Sequence, residues 1–144
     1  MIRRIEEKDR AIYLEMAHDF YHSSAVDHPV PDAFLERTFE ELMAGSCYAE
    51  GFIFEDGGVV QGYALLAKTW SQEAGGLTIW IEEIYMLPQF RGQGLGQAFF
   101  DFLKTEKPAA RYRLEAEPDN ERAKALYRRQ GFRFLNYESF ILGD

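Results

Sequence analysis

The 144-residue sequence holds a single cysteine, Cys47. One thiol excludes an internal disulfide and any multi-cysteine metal site, and it suits a reducing, cytoplasmic setting. Gly45-Ser46-Cys47-Tyr48 matches no nucleophile motif, so Cys47 reads as a buried or half-buried bystander. Histidine is also scarce, with His18, His22 and His28 the three present. His18 and His22 stand one helical turn apart, a spacing a metal can use, but no third ligand accompanies them. They read as surface groups, and no metal is expected. No run of about eighteen apolar residues occurs, so no membrane-crossing helix is expected. The opening Met1-Ile2-Arg3-Arg4-Ile5-Glu6-Glu7 lacks the apolar stretch of a signal peptide. Surplus positive charge is missing too: 16 Lys and Arg stand against 24 Asp and Glu, a net charge of −8. Such a surface repels nucleic acid unless cations gather locally. It tolerates or attracts a cationic substrate, although solubility alone is the plainer reading of the same charge.

What is present is a globular balance of 47% hydrophobic and 28% charged residues, rich in rings at 15% aromatic. Without repeats or linker-like stretches, residues 1–144 read as a single domain. A short strand is expected at Ile2–Ile5 and a helix over Lys8–Tyr21, where Ile12, Met16 and Phe20 recur every four residues. His22–Pro31 reads as a loop. A second helix starts near Asp32 and ends at Gly45. Ala49–Glu55 and Val59–Lys68 read as a hairpin about Asp56-Gly57-Gly58. Trp70–Gly76 reads as a polar loop, Leu77–Met86 as a strand, Gly94–Lys104 as a helix and Tyr112–Ala116 as a strand. Asp119–Gln130 reads as a helix closed by Gly131, and Phe132–Leu142 as a last strand or pair of strands. This order makes a mixed sheet with helices packed on it. The rings of Phe132, Phe134, Tyr137 and Phe140 either complete the core or form a homodimer contact.

Two segments carry chemistry. Pro88-Gln89-Phe90-Arg91-Gly92-Gln93-Gly94-Leu95-Gly96 follows a strand and opens a helix. Alternate glycines let backbone N–H groups converge, and the helix start adds positive potential, a setting for a diphosphate that Arg91 would reinforce. The spacing is wrong for a dinucleotide fingerprint, and the Gly-Lys-Ser/Thr of a nucleotide P-loop is absent; a plain glycine turn is the bland alternative. Asn120 to Phe132 taken alone is a capped amphipathic helix.

Together the two segments resemble the Gcn5-related N-acetyltransferase (GNAT) superfamily. Arg91, Gly94 and Gly96 match its Arg/Gln-x-x-Gly-x-Gly/Ala motif. Asn120, Ala123, Leu126, Tyr127, Gly131 and Phe132 match its Asn-x-x-Ala-x-x-Leu-Tyr-x-x-x-Gly-Phe motif. The resemblance implies an α/β fold: a mixed, mostly antiparallel sheet of six or seven strands, splayed into a V and flanked by about four helices. It implies acetyl-coenzyme A as co-substrate, bound in the opening. Arg91, Gly92, Gln93, Gly94, Leu95, Gly96 and Gln97 would hold the diphosphate. Ile84, Tyr85 and Met86 would run beside the pantetheine arm, and Asn120 and Tyr127 would contact the coenzyme.

Acetyl transfer from sulfur to nitrogen needs a base for the ammonium proton, donors for the carbonyl oxygen, and an acid for the leaving thiolate. Glu82 and Glu83 interrupt an apolar strand, where unpartnered charge is costly. By resemblance to polyamine-type members, Glu82 would be the base, while Glu83 would bind substrate or pair with an arginine; neutralisation of basic neighbours is the alternative. Tyr127 would be the acid and a backbone N–H near Tyr85 the oxyanion donor. Tyr21, His22, Asp27 and His28 are candidates for the acceptor pocket, with Trp70 and Trp80 as its walls. The implied acceptor is a small amine, with a protein lysine or N-terminus as the alternative. The rival classes are a non-catalytic coenzyme A sensor and a protein-interaction module.

Overall fold

The computed structural model describes residues 1–26 and 28–143. Five strands make one sheet in the order β1 (Ile2–Arg4), β2 (Ala49–Asp56), β3 (Val59–Ser71), β4 (Gly76–Met86) and β5 (Arg111–Leu114). The first four pair antiparallel, and β5 joins β4 in parallel. A parallel neighbour needs a crossover, which α3 (Leu95–Glu106) provides. α1 (Arg10–Tyr21) and α2 (Asp32–Met43) lie between β1 and β2, and α4 (Glu121–Arg129) follows β5.

Alternation along the strands sends side chains to two layers. Ile53, Tyr63, Leu65 and Tyr85 pack with Tyr13, Met16, Phe20 and Phe39 of α1 and α2. Phe52, Phe54, Ala64, Leu66, Ile79 and Ile81 pack with Phe99, Phe100 and Leu103 of α3. Leu126, Tyr127 and Phe132 extend this second layer. At the N-terminal edge, Arg3 is held by Asp9 at 2.8 Å and Glu55 at 3.0 Å.

Three expectations need correction. The polar stretch Trp70–Gly76 contributes to both strands, because Trp70 and Ser71 pair with Leu77 and Gly76; only a short turn remains, with Gly75 N–H donating to Gln72 O at 3.2 Å. Strands expected within Phe132–Leu142 do not form among the described residues, so the sheet has five strands rather than six or seven. Local pattern marked that segment as strand-like, but a strand also needs a neighbour, and here it has none. Cys47 is exposed rather than buried, in the connection from α2 to β2.

Candidate active site

The β4–β5 ladder spans only Thr78–Ile81 against Arg111–Leu114. Beyond Ile81 and Leu114 the strands part, leaving the β4 edge from Glu82 to Met86 without a strand on that side. The resulting V contains a cleft of about 540 Å³. Ten sequence-predicted residues line it: Ile84, Met86, Arg91, Gly92, Gly94, Leu95, Gly96, Gln97, Asn120 and Tyr127. Two others do not. The Tyr85 ring belongs to the α1–α2 layer, and Gln93 is exposed, its side-chain amide donating to Gln89 O at 3.2 Å.

The glycine loop is built from two different uses of glycine. Gly92 and Gly94 have φ of 75° and 79°, left-handed values that side chains resist. Gly94 is the N-cap of α3 and offers no side-chain cap, so the first-turn amides face the cleft end of the helix without one. Gly96 is helical; a Cβ there would lie 3.3 Å from Leu126 Cδ2, so its contribution is close approach of α3 to α4. Arg91 ties the loop back to β4: Nε donates to Met86 O at 2.9 Å, and the guanidinium lies 5.4 Å from the Tyr85 ring centre. Asn120 caps α4, its Oδ1 accepting from Ala123 N–H at 3.2 Å, which leaves its amide N–H₂ to offer the cleft.

Ala123 and Leu126 of the second motif also line the cleft, and so do Phe90, Arg122 and Arg129, which were not singled out from sequence. Arg122, Leu126 and Arg129 recur on one face of a helix, a pattern that marks a shared side but not what that side meets. Their effect is electrostatic: three arginines, Arg91, Arg122 and Arg129, gather at one cleft in a chain of net charge −8. Gln97 turns its side-chain amide toward Asp101 and Gln130, so its backbone N–H is the part available to a ligand.

The carboxylates sit at an irregularity. Leu65 pairs with Glu83 and Leu66 with Ile81, so Glu82 is an extra residue on β4, a β-bulge. Glu82 is exposed and Glu83 buried. Glu83 accepts hydrogen bonds from Tyr21 Oη at 2.5 Å and Tyr63 Oη at 2.6 Å, in place of the arginine pairing considered from sequence. Desolvation raises the Glu83 pKa above its ordinary value, against the two tyrosine hydrogen bonds, with added repulsion from Glu82. Desolvation, followed by repulsion from Glu115, also raises Glu82. Glu115 follows the last paired residue of β5, so the V has carboxylates near its apex and arginines about the glycine loop.

Tyr127 lies between the cleft and the core. Its ring packs against Phe100 and Phe132, each with centroids 6.1 Å away, and burial raises its pKa. The other acceptor-side candidates scatter. Tyr21 is committed to Glu83. His22 stacks on His18 at 4.0 Å and bonds His18 O, while His18 pairs with Asp32 at 2.9 Å. His28 is exposed in the loop between α1 and α2, and Asp27 lies outside the described residues. Trp80 carries the Arg113 guanidinium 4.2 Å from its ring centre. Trp70 is exposed on the Leu77 end of the hairpin, away from the V, so it builds no wall there.

Comparison with known proteins agrees with this architecture. The family model described as the acetyltransferase (GNAT) family matches residues 11–132. A thialysine N-epsilon-acetyltransferase of Mus musculus is 28% identical over 142 residues, covering 88% of this chain and 80% of the relative. A possible acetyltransferase from Clostridium difficile 630 superposes with a TM-score of 0.86 at 18% identity, covering 100% of this chain and 97% of that one. AAC(6')-Iy, solved with the bisubstrate analogue CoA-S-monomethyl-acetylneamine, gives 0.80 at 17% identity, again over 100% and 97%. At such identities the structural likeness speaks for the fold, while the family match takes in both the glycine loop and α4: the chain belongs to the GNAT family of acetyltransferases.

Proposed function

We propose that this chain moves an acetyl group from acetyl-coenzyme A to the primary amine of a small molecule, with both substrates held together in the V. The observation that carries the reading is the polarity of that V. Arg91, Arg122 and Arg129 lie about the uncapped start of α3, and Glu82 and Glu115 lie toward the apex. A polyanionic coenzyme suits the first end and an ammonium the second. The related thialysine and aminoglycoside acetyltransferases support an amine acceptor.

Acetyl-coenzyme A supplies an acetyl carbon activated by its bond to sulfur. The first-turn amides of α3 and the three arginines bind its diphosphate. The open edge of β4 at Ile84 and Met86 aligns the pantetheine arm. Met86 O already accepts from Arg91, so the strand end and the loop are fixed together before ligand arrives. Asn120 contributes its amide N–H₂. Glu82 takes the ammonium proton, directly or through water; a raised pKa makes it a stronger base wherever it remains ionised. The Tyr85 backbone N–H donates to the thioester oxygen as that oxygen gains charge. As the C–N bond forms and the C–S bond breaks, Tyr127, whose proton burial retains, gives that proton to the departing sulfur and is reprotonated by the second proton that the nitrogen sheds as the amide forms. Glu83, fixed by Tyr21 and Tyr63, adds negative potential beneath the amine. Holding the reactants in line supplies much of the acceleration, with no covalent enzyme intermediate. With one thiol, the chain works in a reducing cytoplasm.

An acetyl-transfer screen tests this reading. Polyamines, aminoglycosides, amino acids and peptides are offered with acetyl-coenzyme A, and the products are weighed by mass spectrometry. Acetylated small amines are expected, together with a rise in melting temperature on adding acetyl-coenzyme A. Acetylation confined to peptides overturns the choice of acceptor. A melting shift without any product indicates a sensor, and no shift at all indicates an interaction module.

A further inference from the structure

Arg113 holds a charge that no carboxylate of the fold neutralises. The other arginines on the strands are paired: Arg3 with Asp9 and Glu55, Arg4 with Glu50, and Arg111, two residues before Arg113 on β5, with Glu73 at 3.4 Å. Among the described residues no carboxylate pairs with Arg113; its guanidinium rests on the Trp80 ring, 4.2 Å from the centre. Acidic groups are in surplus, 24 against 16 Lys and Arg, yet none is brought to this cation.

Its position gives that charge a use. Ile79, Ile81, Tyr112 and Leu114 face the α3 layer, so alternation turns Trp80 and Arg113, which pair across the β4–β5 ladder, to the opposite side of the sheet. The α1–α2 layer covers Tyr63, Leu65 and Tyr85 on that side, but neither Trp80 nor Arg113 belongs to it, and both are half-buried. Ile81 and Leu114 form the next pair and the last, and Glu82 and Glu115 follow them at the opening of the V. Two strand residues span about 7 Å, which sets Arg113 that far back from Glu115 along β5. A flat guanidinium stacked on an indole is held by its face, so its N–H edge stays free to bond outward.

We propose that the acceptor carries a carboxylate as well as an amine, and that Arg113 on Trp80 binds the carboxylate while the amine lies at Glu82. This rests on the reading of the V as an acetyl-transfer site for a small amine, and it names the class of amine. Coplanar N–H groups match the two oxygens of a carboxylate. The acidic groups around the opening reject an anion that lacks such an anchor. The spacing selects further. The α-amine of an amino acid adjoins its carboxylate and cannot lie at Glu82 while the carboxylate lies on Arg113. An amine at the far end of a chain several carbons long does both.

The test offers acetyl-coenzyme A with three sets of acceptors of equal carbon length: terminal-amine amino acids from γ-aminobutyrate to ε-aminohexanoate, α,ω-diamines and n-alkylamines. The readout is the ratio of kcat/KM between sets, which is internal to each protein and so unaffected by loss of active material. Wild type is expected to prefer the amino acids over both other sets by about 10-fold or more. In Arg113→Gln the preference over alkylamines is expected to vanish, and in Arg113→Glu the diamines are expected to become the best acceptors. A wild type that favours diamines or treats the three sets alike, or an Arg113→Gln that keeps the preference, overturns the proposal and leaves small-amine acetylation standing. Acetylation of other small amines with none of these three sets does the same. Absence of product from every small amine overturns the reading of the V itself, and this proposal with it.

Discussion

The two halves of β4 have similar apolar residues but different backbone surroundings. Gly76–Ile81 contains the full β5 ladder, whereas Glu82–Met86 has β3 on one side and the cleft on the other. The bulge at Glu82 separates them and reverses the alternation. In a regular strand Glu83 and Tyr85 would share the α3 face with Ile79 and Ile81. With one residue inserted, Ile84 and Met86 continue that face, and Glu83 and Tyr85 turn to the α1–α2 layer. Two neighbouring carboxylates thereby receive different surroundings: Glu82 is open at the apex of the V, and Glu83 is enclosed by tyrosines. The lesson is that a bulge can divide one acidic pair into an exposed and an enclosed member.

The sharpest test of this division is Glu82→Gln. Loss of a general base is expected to lower kcat by about 100-fold or more, while the melting temperature stays within error because Glu82 is exposed. Steady-state kinetics and a thermal melt check it. A larger rate loss in Glu83→Gln than in Glu82→Gln would reverse the assignment. Next in size is Glu83→Ala, expected to cost about 2–3 kcal/mol of stability by urea denaturation, since one buried and one half-buried hydroxyl lose a charged partner. The pH dependence has a definite sign. The folded pKa of Glu83 is raised, so protonation favours the folded state. This contribution is fully present below the ordinary value of 4.5 and is lost as pH rises through the folded pKa. The wild type should therefore gain stability relative to Glu83→Gln as pH falls through that window; a flat difference refutes the burial argument. Tyr127→Phe retains the ring against Phe100 and Phe132 and removes only the proton donor. It is expected to lower kcat about 10-fold with KM unchanged.

Sequence reached furthest where chemistry depends on local backbone. Gly92, Gly94 and Asn120 were legible because a left-handed turn, a helix start and an N-cap each leave a residue preference behind. The outcome at Gly96 was less direct: its glycine marks the closeness of α3 and α4, a packing fact between segments far apart in sequence. Arg122 and Arg129 escaped notice for the same reason, since a helical face does not reveal which cleft it borders. The tyrosine clamp on Glu83 joins residues 20 and 62 positions away, so no spacing rule could expose it. Phe132–Leu142 looked like strand because its composition is that of a strand; what composition cannot supply is the neighbour.

The smallest expected effect addresses the apex itself. Glu82 and Glu115 each follow the last pair of the β4–β5 ladder, Ile81 and Leu114, so they occupy the point where the V opens. Desolvation is the main cause of the raised Glu82 pKa, and Glu115 is the second. If Glu82 acts ionised, the acid limb of kcat follows its pKa. Glu115→Gln removes the lesser cause and should move that limb to lower pH, leaving it above the ordinary 4.5 because desolvation remains. The plateau should fall slightly, since a less basic carboxylate is a weaker proton acceptor. High salt offers an independent check, because screening at about 1 M acts over roughly 3 Å and weakens a repulsion across an open cleft more than it alters burial. Wild type in high salt should thus approach the limb of Glu115→Gln, and the variant itself should respond little. A limb that stays put in Glu115→Gln, or moves to higher pH, would mean that Glu82 and Glu115 do not act on one another across the opening.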